Sequence, residues 1–478
     1  MTRGADLMTE KRSSIHGQWS SRFIFILAAV GSAVGLGNIW KFPYITGENG
    51  GGAFVLVYLV CIALIGVPIM IAEILLGRRG RQSPINTMRS LVQDEQAHPA
   101  WSLLGWGGVI TGFLILSYYS VIAGWALAYV FRAASGAFNG ATAETIAAQF
   151  DGFLSAPLSV LAWHSIFMVM TMVVVARGVR GGLEKAVTFL MPALFVLLLV
   201  LVGYAMSLGA FSEGLDFLFS PNFEKVFYHC EVTAAGVEQC RFTGEPMLVA
   251  LGHAFFTLSL GMGAIMVYGS YMPANASIAR ATFAIVAADT AVALLAGMAI
   301  FPIVFSNGLE AAAGPGLIFQ TLPIAFGAMP GGQFFGTLFF LLLVFAAWSS
   351  AISLIEPAVA WLVENHGMKR VSAAVLMGVL AWILGIGTVL SFNLLSGEEF
   401  QLFGKTIFDL LDYLTANILL PLGGLFIALF AGWIMSRSAS MDELRMRDGM
   451  GYKTWSLLVR YISPLLVAIV FFNAIGII

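Results

Sequence analysis

Long hydrophobic runs alternate with short polar connections along the whole chain. About 20 consecutive apolar residues are enough for a helix to cross the hydrocarbon core of a bilayer. Eleven runs meet that length, and the predicted spans are 21–46, 53–77, 104–134, 158–176, 184–209, 247–270, 276–307, 333–363, 371–391, 408–436 and 453–477. The pattern therefore predicts an all-α polytopic membrane protein with eleven transmembrane helices.

The first span is interrupted by the segment Gly31-Ser-Ala-Val-Gly-Leu-Gly-Asn38. Glycine costs about 1 kcal/mol relative to alanine inside a helix, and unwound backbone at membrane depth is tolerated only inside protein or beside a polar cavity. The segment thus predicts a broken helix whose free amides and carbonyls bind a polar group. The spacing of Gly31 and Gly35 also fits a GxxxG helix-packing face, which is the alternative interpretation.

A second interruption, from Phe255 to Gly263, lies in the sixth span. Five spans separate the two interrupted helices, so they cross the membrane in opposite directions. Gly-interrupted helices at corresponding positions of two halves indicate an inverted-repeat secondary transporter with its site near the midplane. The predicted parts are a cytoplasmic segment at 1–20, a core at 21–436 made of five-helix repeats 21–209 and 247–436, and a last loop and helix at 437–478.

Composition narrows the class of protein further. Hydrophobic residues make up 59% of the chain and charged residues 10%, which excludes an ordinary soluble domain. A net charge of −2 gives no indication of nucleic-acid binding, and three cysteines do not indicate a disulfide framework or a metal site. The sequence contains neither a zinc-protease motif nor a phosphate-binding loop, so we do not expect an enzyme.

Basic residues predict the orientation in the membrane. The N-terminal segment and every second connection hold most of the lysines and arginines, among them Arg12, Arg78 and Arg370. By the positive-inside rule the N-terminus is cytoplasmic, and an odd number of spans leaves the C-terminus outside the inner (plasma) membrane. Cys230 and Cys240 then share an outer connection, where the compartment permits a disulfide but the sequence leaves it open.

Polar side chains within the spans are candidates for a binding site, because uncompensated polar groups are costly in a membrane. They are Asn38, Thr257, Ser259, Asp289, Ser349 and Ser350. Hydroxyl, amide and carbonyl oxygens suit alkali or alkaline-earth cations. Asp289 either binds a cation or is a hydrogen-bonded structural acid, and the serine pair either binds a ligand or bonds back to its own helix.

Five further polar residues lie within spans. The hydroxyl of Tyr118 or Tyr119 is placed to receive a substrate carboxylate or to bond a neighbouring carbonyl. Glu73 and Glu356 either pack between helices and stabilise unwound backbone, which we predict, or bind a ligand directly. His253, next to the second interruption, either titrates or has a structural role as a hydrogen-bond donor, and we predict the structural role.

Several of these segments together resemble the bacterial branch of the neurotransmitter:sodium symporter family. The matching pieces are Gly31-Ser-Ala-Val-Gly-Leu-Gly-Asn38, Ile39-Trp-Lys-Phe-Pro43, Glu48-Asn-Gly-Gly-Gly-Ala-Phe54, Tyr118-Tyr119, Ala254-Phe-Phe-Thr-Leu-Ser-Leu-Gly-Met-Gly-Ala264 and Phe345-Ala-Ala-Trp-Ser-Ser350. The resemblance implies a LeuT-type fold, with helices 1 and 6 broken, and sodium-coupled amino-acid uptake by alternating access.

The resemblance also implies where the ligands bind. The expected oxygens of the first sodium site belong to Ala33, Asn38, Thr257, Asp289 and the substrate carboxylate. Those of the second belong to Gly31, Val34, Ala346, Ser349 and Ser350. The expected substrate contacts are Ala33, Leu36, Gly37, Ile115, Tyr119, Phe256, Thr257, Ser259, Met262, Ser350 and Leu354, with Tyr119 holding the carboxylate.

Two gates follow from the same resemblance. Lys41 with Asp412 would form the outer gate, where the family usually has arginine with aspartate. The expected inner gate contains Trp19, Tyr271 and Glu364, and His16 stands where the family has an arginine.

The family pattern also bears on chloride. Asp289 stands where many relatives have asparagine, and Ala293 stands where chloride-dependent relatives have serine. We predict that the Asp289 carboxylate supplies the negative charge that chloride supplies elsewhere, so that sodium is required and chloride is not.

The predicted function is therefore a sodium-coupled symporter for neutral, hydrophobic amino acids, present in the bilayer as a monomer or weak homodimer. The alternatives are an amino-acid-gated channel and a transport-inactive sensor of the same fold.

Overall fold

The computed structural model describes residues 12–232, 238–309, 314–475 and 477, and nearly all of them are helical. The first half contains the helices α1 (Arg22–Ala33), α2 (Phe42–Glu48), α3 (Gly52–Cys61), α4 (Val67–Gly80), α5 (Pro84–Asp94), α6 (Leu103–Ala134), α7 (Ala143–Leu154), α8 (Pro157–Ala176) and α9 (Glu184–Met206).

A connection with a small β-hairpin joins the two halves. Its elements are α10 (Phe211–Phe219), α11 (Phe223–Phe227), β1 (Tyr228–Val232) and β2 (Glu238–Phe242). The strands pair antiparallel, with Cys230 opposite Cys240 in the backbone register. Their side chains lie outside the described part, so the disulfide stays open. Sequence analysis did not predict these strands.

The second half is also built of helices. It contains α12 (Glu245–Thr257), α13 (Ala264–Ser270), α14 (Ile278–Phe305), α15 (Thr321–Ala328), α16 (Gly332–His366), α17 (Arg370–Ser391), α18 (Ile407–Asp412) and α19 (Leu420–Leu429). The chain ends in α20 (Arg437–Leu444), α21 (Met450–Leu457) and α22 (Ser463–Ala474). Short π-helical segments at Gly37–Lys41, Ile62–Gly66, Val179–Leu183, Tyr413–Leu419, Phe430–Ile434 and Leu458–Ile462 extend several of these helices.

Within the described residues, nine helical stretches are long and apolar enough to cross a membrane, and a bent pair makes ten. The predicted sixth span, 247–270, is missing from that set because it is divided between α12 and α13, each too short to cross alone. The number eleven therefore stays a prediction, as do the boundaries of the two repeats, and residues 1–11 of the N-terminal segment lie outside the described part. Large apolar side chains such as Phe23, Leu158 and Phe334 are exposed, as expected for surfaces that face lipid.

The first predicted break is present between α1 and α2. The α1 helix ends at Ala33, and Val34 has extended backbone with φ −68° and ψ 109°. The axis then turns by 54° before the helical stretch Gly37–Glu48. Because an α-helix leaves its last carbonyls without intrahelical partners, this break frees acceptor oxygens in the interior of the protein.

The second predicted break lies between α12 and α13. Ser259, Gly261 and Gly263 all have positive φ, at 53°, 84° and 75°. Glycine is required at Gly261, because a Cβ there would lie 2.6 Å from the Leu420 carbonyl oxygen. The buried Glu73 carboxylate accepts hydrogen bonds from the Gly261 and Met266 amides, at 3.1 and 3.3 Å. Glu73 thus contacts the unwound backbone, as predicted.

Candidate functional site

A small buried cavity lies between the two helix breaks. Its volume is about 30 Å³, enough for about two water molecules, so an amino-acid substrate enters only when lining side chains move. All of the predicted substrate contacts line it, together with two residues that were not assigned, Ser32 and Gly35. The lining is Ser32, Ala33, Gly35, Leu36, Gly37, Ile115, Tyr119, Phe256, Thr257, Ser259, Met262, Ser350 and Leu354.

The unassigned residues bring the broken helices close together. A Cβ at Gly35 would lie 2.7 Å from Ser350 Oγ and 3.0 Å from the Tyr119 hydroxyl, so only glycine allows this approach. The Ser32 carbonyl accepts a hydrogen bond from Ser259 Oγ at 2.9 Å, which links the two breaks directly. Both residues lie within the glycine-rich motif, but their neighbours across the cavity depend on the tertiary structure.

One end of the cavity is polar. The Leu36 amide donates to the Tyr119 hydroxyl at 3.4 Å, so two donors converge beside the break. The neighbouring Tyr118 points elsewhere, with its hydroxyl 3.0 Å from Thr415 Oγ1. Of the adjacent tyrosines, Tyr119 is therefore the one with a hydroxyl at the cavity.

Asn38, Thr257 and Asp289 form the first oxygen cluster. The Asn38 side-chain amide donates to Asp289 Oδ1 at 2.8 Å, and Thr257 Oγ1 donates to Asp289 Oδ2 at 3.2 Å. Asn38 Oδ1 accepts from the Gly35 amide at 3.1 Å. All three side chains are at most 1% exposed. A buried carboxylate among neutral oxygen groups is a donor set that a hard cation prefers.

Ser350 is the centre of a second cluster. Its Oγ lies 3.1 to 3.4 Å from four backbone carbonyl oxygens, those of Gly31, Ser32, Val34 and Ala346. A hydroxyl has one proton to donate, so Ser350 cannot donate to all four carbonyl oxygens at once. Three of the carbonyls also lie at the C-terminal end of α1, where the helix dipole favours positive charge. The excess of acceptors matches the chemistry of a cation site.

Ser349 behaves differently from its neighbour. Its Oγ donates to the carbonyls of Phe345 and Ala346, both at 3.1 Å, which is bonding back to its own helix. The Ala346 carbonyl still connects Ser349 to the second cluster. The five residues predicted for that sodium site are therefore neighbours.

The predicted inner-gate residues form a closed contact network. Trp19 is 2% exposed, its amide donates to the Tyr271 carbonyl at 3.0 Å, and its indole N–H donates to the Tyr268 carbonyl at 3.1 Å. His16 Nε2 lies 3.1 Å from Glu364 Oε1. The Ser83 amide and hydroxyl also donate to Glu364, at 2.8 and 2.5 Å.

The predicted outer pair is not in contact. Lys41 and Asp412 form no ion pair within 4.0 Å, although the structure describes both residues. Lys41 Nζ instead lies 4.8 Å from the centre of the Phe256 ring. A cavity of about 590 Å³ lies beside Lys41 and reaches Phe256, which also lines the small cavity.

The expectation for Glu356 was wrong. Its carboxylate accepts from the Tyr271 hydroxyl at 2.8 Å and pairs with the Arg370 guanidinium, so it does not stabilise unwound backbone. The two residues are 14 positions apart, and the spacing gave no indication that they meet.

Comparison with known proteins decides the family. The model of the sodium:neurotransmitter symporter family matches residues 16–147 and 141–477. The chain belongs to this family.

Relatives of this symporter cover nearly its full length. It is 40% identical over 463 residues to the uncharacterized sodium-dependent transporter YhdH of Bacillus subtilis (strain 168), covering 96% of this chain and 98% of that protein. It is 23% identical to the sodium- and chloride-dependent GABA transporter 2 of Homo sapiens, covering 92% and 76%. The crystal structure of MhsT in complex with L-phenylalanine matches with a TM-score of 0.84 and 44% identity, covering 96% of this chain and 99% of that one.

These findings confirm the coarse predictions. The chain is a sodium-dependent symporter of the neurotransmitter:sodium type, with many membrane-crossing helices and the predicted fold, and it is not an enzyme.

A buried histidine of the symporter lacks hydrogen bonds in the described part of the chain. His253 is 1% exposed, and neither ring nitrogen has a hydrogen-bond partner in the described part of the chain. Its ring packs 5.9 Å from that of Phe42 and 5.3 Å from that of Tyr58. His253 therefore packs against aromatic rings, and the hydrogen bond expected of it is not found among the described residues.

Proposed function

We propose that this symporter takes up neutral, hydrophobic amino acids together with sodium by alternating access. The observation that supports this proposal is that the same residues line the cavity and belong to the oxygen clusters. Thr257 lines the cavity and contacts Asp289, and Ser350 lines the cavity and is the centre of the second cluster. Sodium and substrate that bind there contact the same side chains, so each changes the affinity for the other.

The lining supports a neutral substrate with an apolar side chain. None of the thirteen lining residues is charged, and Ile115, Phe256, Met262 and Leu354 supply an apolar surface. The Tyr119 hydroxyl and the Leu36 amide would receive the carboxylate of the amino acid. MhsT, which is similar in structure, was crystallised with L-phenylalanine.

Two sodium ions would bind at the clusters. Ala33, Asn38, Thr257 and Asp289 would hold one, with the substrate carboxylate as a further ligand. Gly31, Val34, Ala346, Ser349 and Ser350 would hold the other. Both sets consist of oxygen atoms, as a hard monovalent cation requires.

Chloride would not be required in this scheme. The Asp289 carboxylate already supplies a negative charge at the first cluster, and Ala293 beside it on α14 offers no hydroxyl. Sodium-driven uptake that stops when chloride is replaced by gluconate at constant sodium and pH would contradict this part.

Alternating access would use the two ends of the molecule as gates. The end with Trp19, His16 and Glu364 would face the cytoplasm of a cell with the symporter in its inner membrane. The end with Lys41 and Asp412 would face outwards. Monomers or weak homodimers would be sufficient, because both clusters lie within one chain.

The deciding experiment is sodium-driven uptake in proteoliposomes, with the twenty amino acids as competitors. Aromatic and large aliphatic amino acids are expected to compete best. Accumulation that needs no sodium gradient, or competition chiefly by charged amino acids, would refute the proposal. Counterflow of labelled substrate separates a carrier from a channel.

Met262 tests the side-chain end of the cavity. Met262→Ala enlarges it by several methylene groups, so the order of competing substrates should change by about tenfold or more. Met206→Ala is the matched control, because Met206 is 62% exposed and lies far along α9. An unchanged order in Met262→Ala would exclude Met262 from the substrate contacts.

A further inference from the structure

A cleft of about 530 Å³ lies at the inner-gate end, apart from the substrate cavity. Five guanidinium groups and three carboxylates line it, an excess of two positive charges. These residues are Arg12, Arg78, Arg79, Arg81, Arg445, Asp94, Asp442 and Glu443. A cleft with this excess attracts anions.

Two of the arginines are already neutralised by carboxylates. Arg12 forms a bidentate pair with Asp94, at 2.8 and 2.9 Å. Arg78 pairs with Glu443 and also donates to the Ala276 carbonyl at 2.6 Å. These pairs connect the N-terminal segment, α5 and α20 with the end of α4, and they form the walls of the cleft.

The other three arginines have no such partner. Arg79, Arg81 and Arg445 form no ion pair within 4.0 Å with any carboxylate that the structure describes. Arg81 donates to the backbone carbonyls of Ser270 and Met272.

Arg79 leaves a donor unused. It donates to the Ala439 carbonyl at 3.5 Å, while its Nε is buried and lacks an acceptor among the described atoms. Because an unsatisfied buried donor of a charged group is costly, an acceptor oxygen from a ligand would stabilise it.

The position of the cleft indicates which kind of ligand would supply the acceptor oxygen for Arg79. The candidate membrane span Gly52–Gly80 ends with Arg78 and Arg79 in its last turn, and Arg81 follows directly. The candidate span Ile407–Ile434 ends shortly before α20, which contains Ala439 and Glu443. The cleft therefore lies at the level of lipid headgroups, where basic pockets between transmembrane helices bind anionic lipids.

We propose that this cleft binds the phosphate group of an anionic phospholipid headgroup through Arg79, Arg81 and Arg445. Guanidinium groups bind phosphate oxygens in bidentate geometry, which suits three arginines around one cleft. Inorganic phosphate shares this chemistry, so the test must separate the two sources.

The test measures thermal unfolding and direct binding of the purified full chain. One arm uses nanodiscs of phosphatidylcholine with or without cardiolipin, and the other uses inorganic phosphate in detergent. We expect cardiolipin to raise the unfolding midpoint. Arg79→Gln and Arg445→Gln should each weaken cardiolipin binding about fivefold, as expected for one basic residue near an anionic surface.

Arg437→Gln is the matched control. Arg437 is 54% exposed, pairs with Asp448 and lies outside the cleft, yet the variant changes the net charge equally. Equal loss of binding in all three variants would show unspecific attraction and overturn the proposal, as would no effect of cardiolipin.

The phosphate arm decides the source. In the contrary outcome, inorganic phosphate binds saturably and binds more weakly to Arg79→Gln, and the chain shows no preference for cardiolipin. That result would overturn the lipid assignment and show that the arginines bind a free phosphate ion. Sodium-driven uptake by the variants in phosphatidylcholine alone shows that they fold.

Discussion

The inner-gate end and the opposite end of the symporter differ in how they are closed. At the inner-gate end, Trp19 and His16 of the N-terminal segment bond directly to the second broken helix and to α16. At the opposite end, Lys41 and Asp412 form no ion pair within 4.0 Å, and Lys41 lines a cavity of about 590 Å³. Four carbonyl and carboxylate groups accept bonds at one end, whereas at the other the Lys41 ammonium lies over the Phe256 ring.

If transport proceeds by the proposed alternating access, the contrast suggests which elements would move. The inner contacts hold α13 and the segment before α1, and each of these belongs to one half of a broken helix. The other halves, α2 and α12, line the cavity of about 590 Å³. Closing the outer end would then shift α2 and α12, whereas opening the inner end would break several buried bonds. We expect substitutions at the inner end to have larger effects.

Trp19→Ala should have the largest effect on this asymmetry. It removes a buried indole, with a typical cost of about 3–5 kcal/mol for such a truncation, and two ring contacts with Tyr268 and Tyr271. Amide hydrogen exchange in α13, Ala264–Ser270, should accelerate, and concentrative uptake should be lost. Trp433→Ala is the control, because Trp433 is 52% exposed. Unchanged exchange in α13 would show that the N-terminal segment does not hold the inner end closed.

Ser350→Ala and Asn38→Leu test the link between the two ends. Each removes an oxygen from one cluster, and loss of a charge-assisted contact costs about 1.5–3 kcal/mol. The sodium concentration for half-maximal uptake should therefore rise roughly tenfold or more. Ser117→Ala is the control, because Ser117 is a buried serine that bonds back to Leu114 on its own helix. An unchanged sodium titration in the first two variants would contradict the ligand assignment.

His16→Arg should have a smaller effect, in the opposite direction to Trp19→Ala. A guanidinium is always positively charged and can pair with a carboxylate in bidentate geometry. The variant should therefore bind Glu364 more strongly than the imidazole does, and amide hydrogen exchange in α13 should slow by severalfold.

The charged groups around His16 define the controls for that experiment. Glu364 receives bonds from Ser83 and Asn86, the Tyr271 ring lies 5.7 Å from the imidazole, and the Glu356–Arg370 pair follows behind Tyr271. His16→Gln keeps a hydrogen-bond donor but carries no positive charge, so it should not slow exchange in α13. Unchanged or faster exchange in His16→Arg would show that the contact between residue 16 and Glu364 does not hold the inner end closed.

Local chemistry made much of the fold and site predictable. Glycines and Asn38 interrupt an apolar run. Because glycine weakens a helix and unwound backbone in a membrane must lie inside protein or beside a polar cavity, this interruption predicts a broken helix at a binding site. The polar residues near the breaks were then the obvious candidates, and the structure brings Asn38, Thr257 and Asp289 together.

The partners of several charged side chains were not predictable from the sequence. His16 and Glu364 are 348 positions apart, and the reach of Lys41 depends on where α2 points after a 54° bend. Glu356 meets Arg370 because two helices happen to pack there. In each case the side-chain chemistry was visible in the sequence, but the partner depended on the packing of helices.

The smallest effect is expected at the outer end, for Lys41→Met and Asp412→Asn. Because the two charges are apart and Asp412 is exposed, their interaction should stabilise the protein by less than about 1 kcal/mol, as for separated surface charges. A double-mutant cycle on thermal unfolding should therefore give almost no coupling. The same cycle on His16 and Glu364 should give a clear coupling energy, because the two side chains lie 3.1 Å apart and are at most 7% exposed. A larger coupling energy for the outer pair than for the inner pair would contradict this comparison. It would show that the outer end is the more tightly closed of the two.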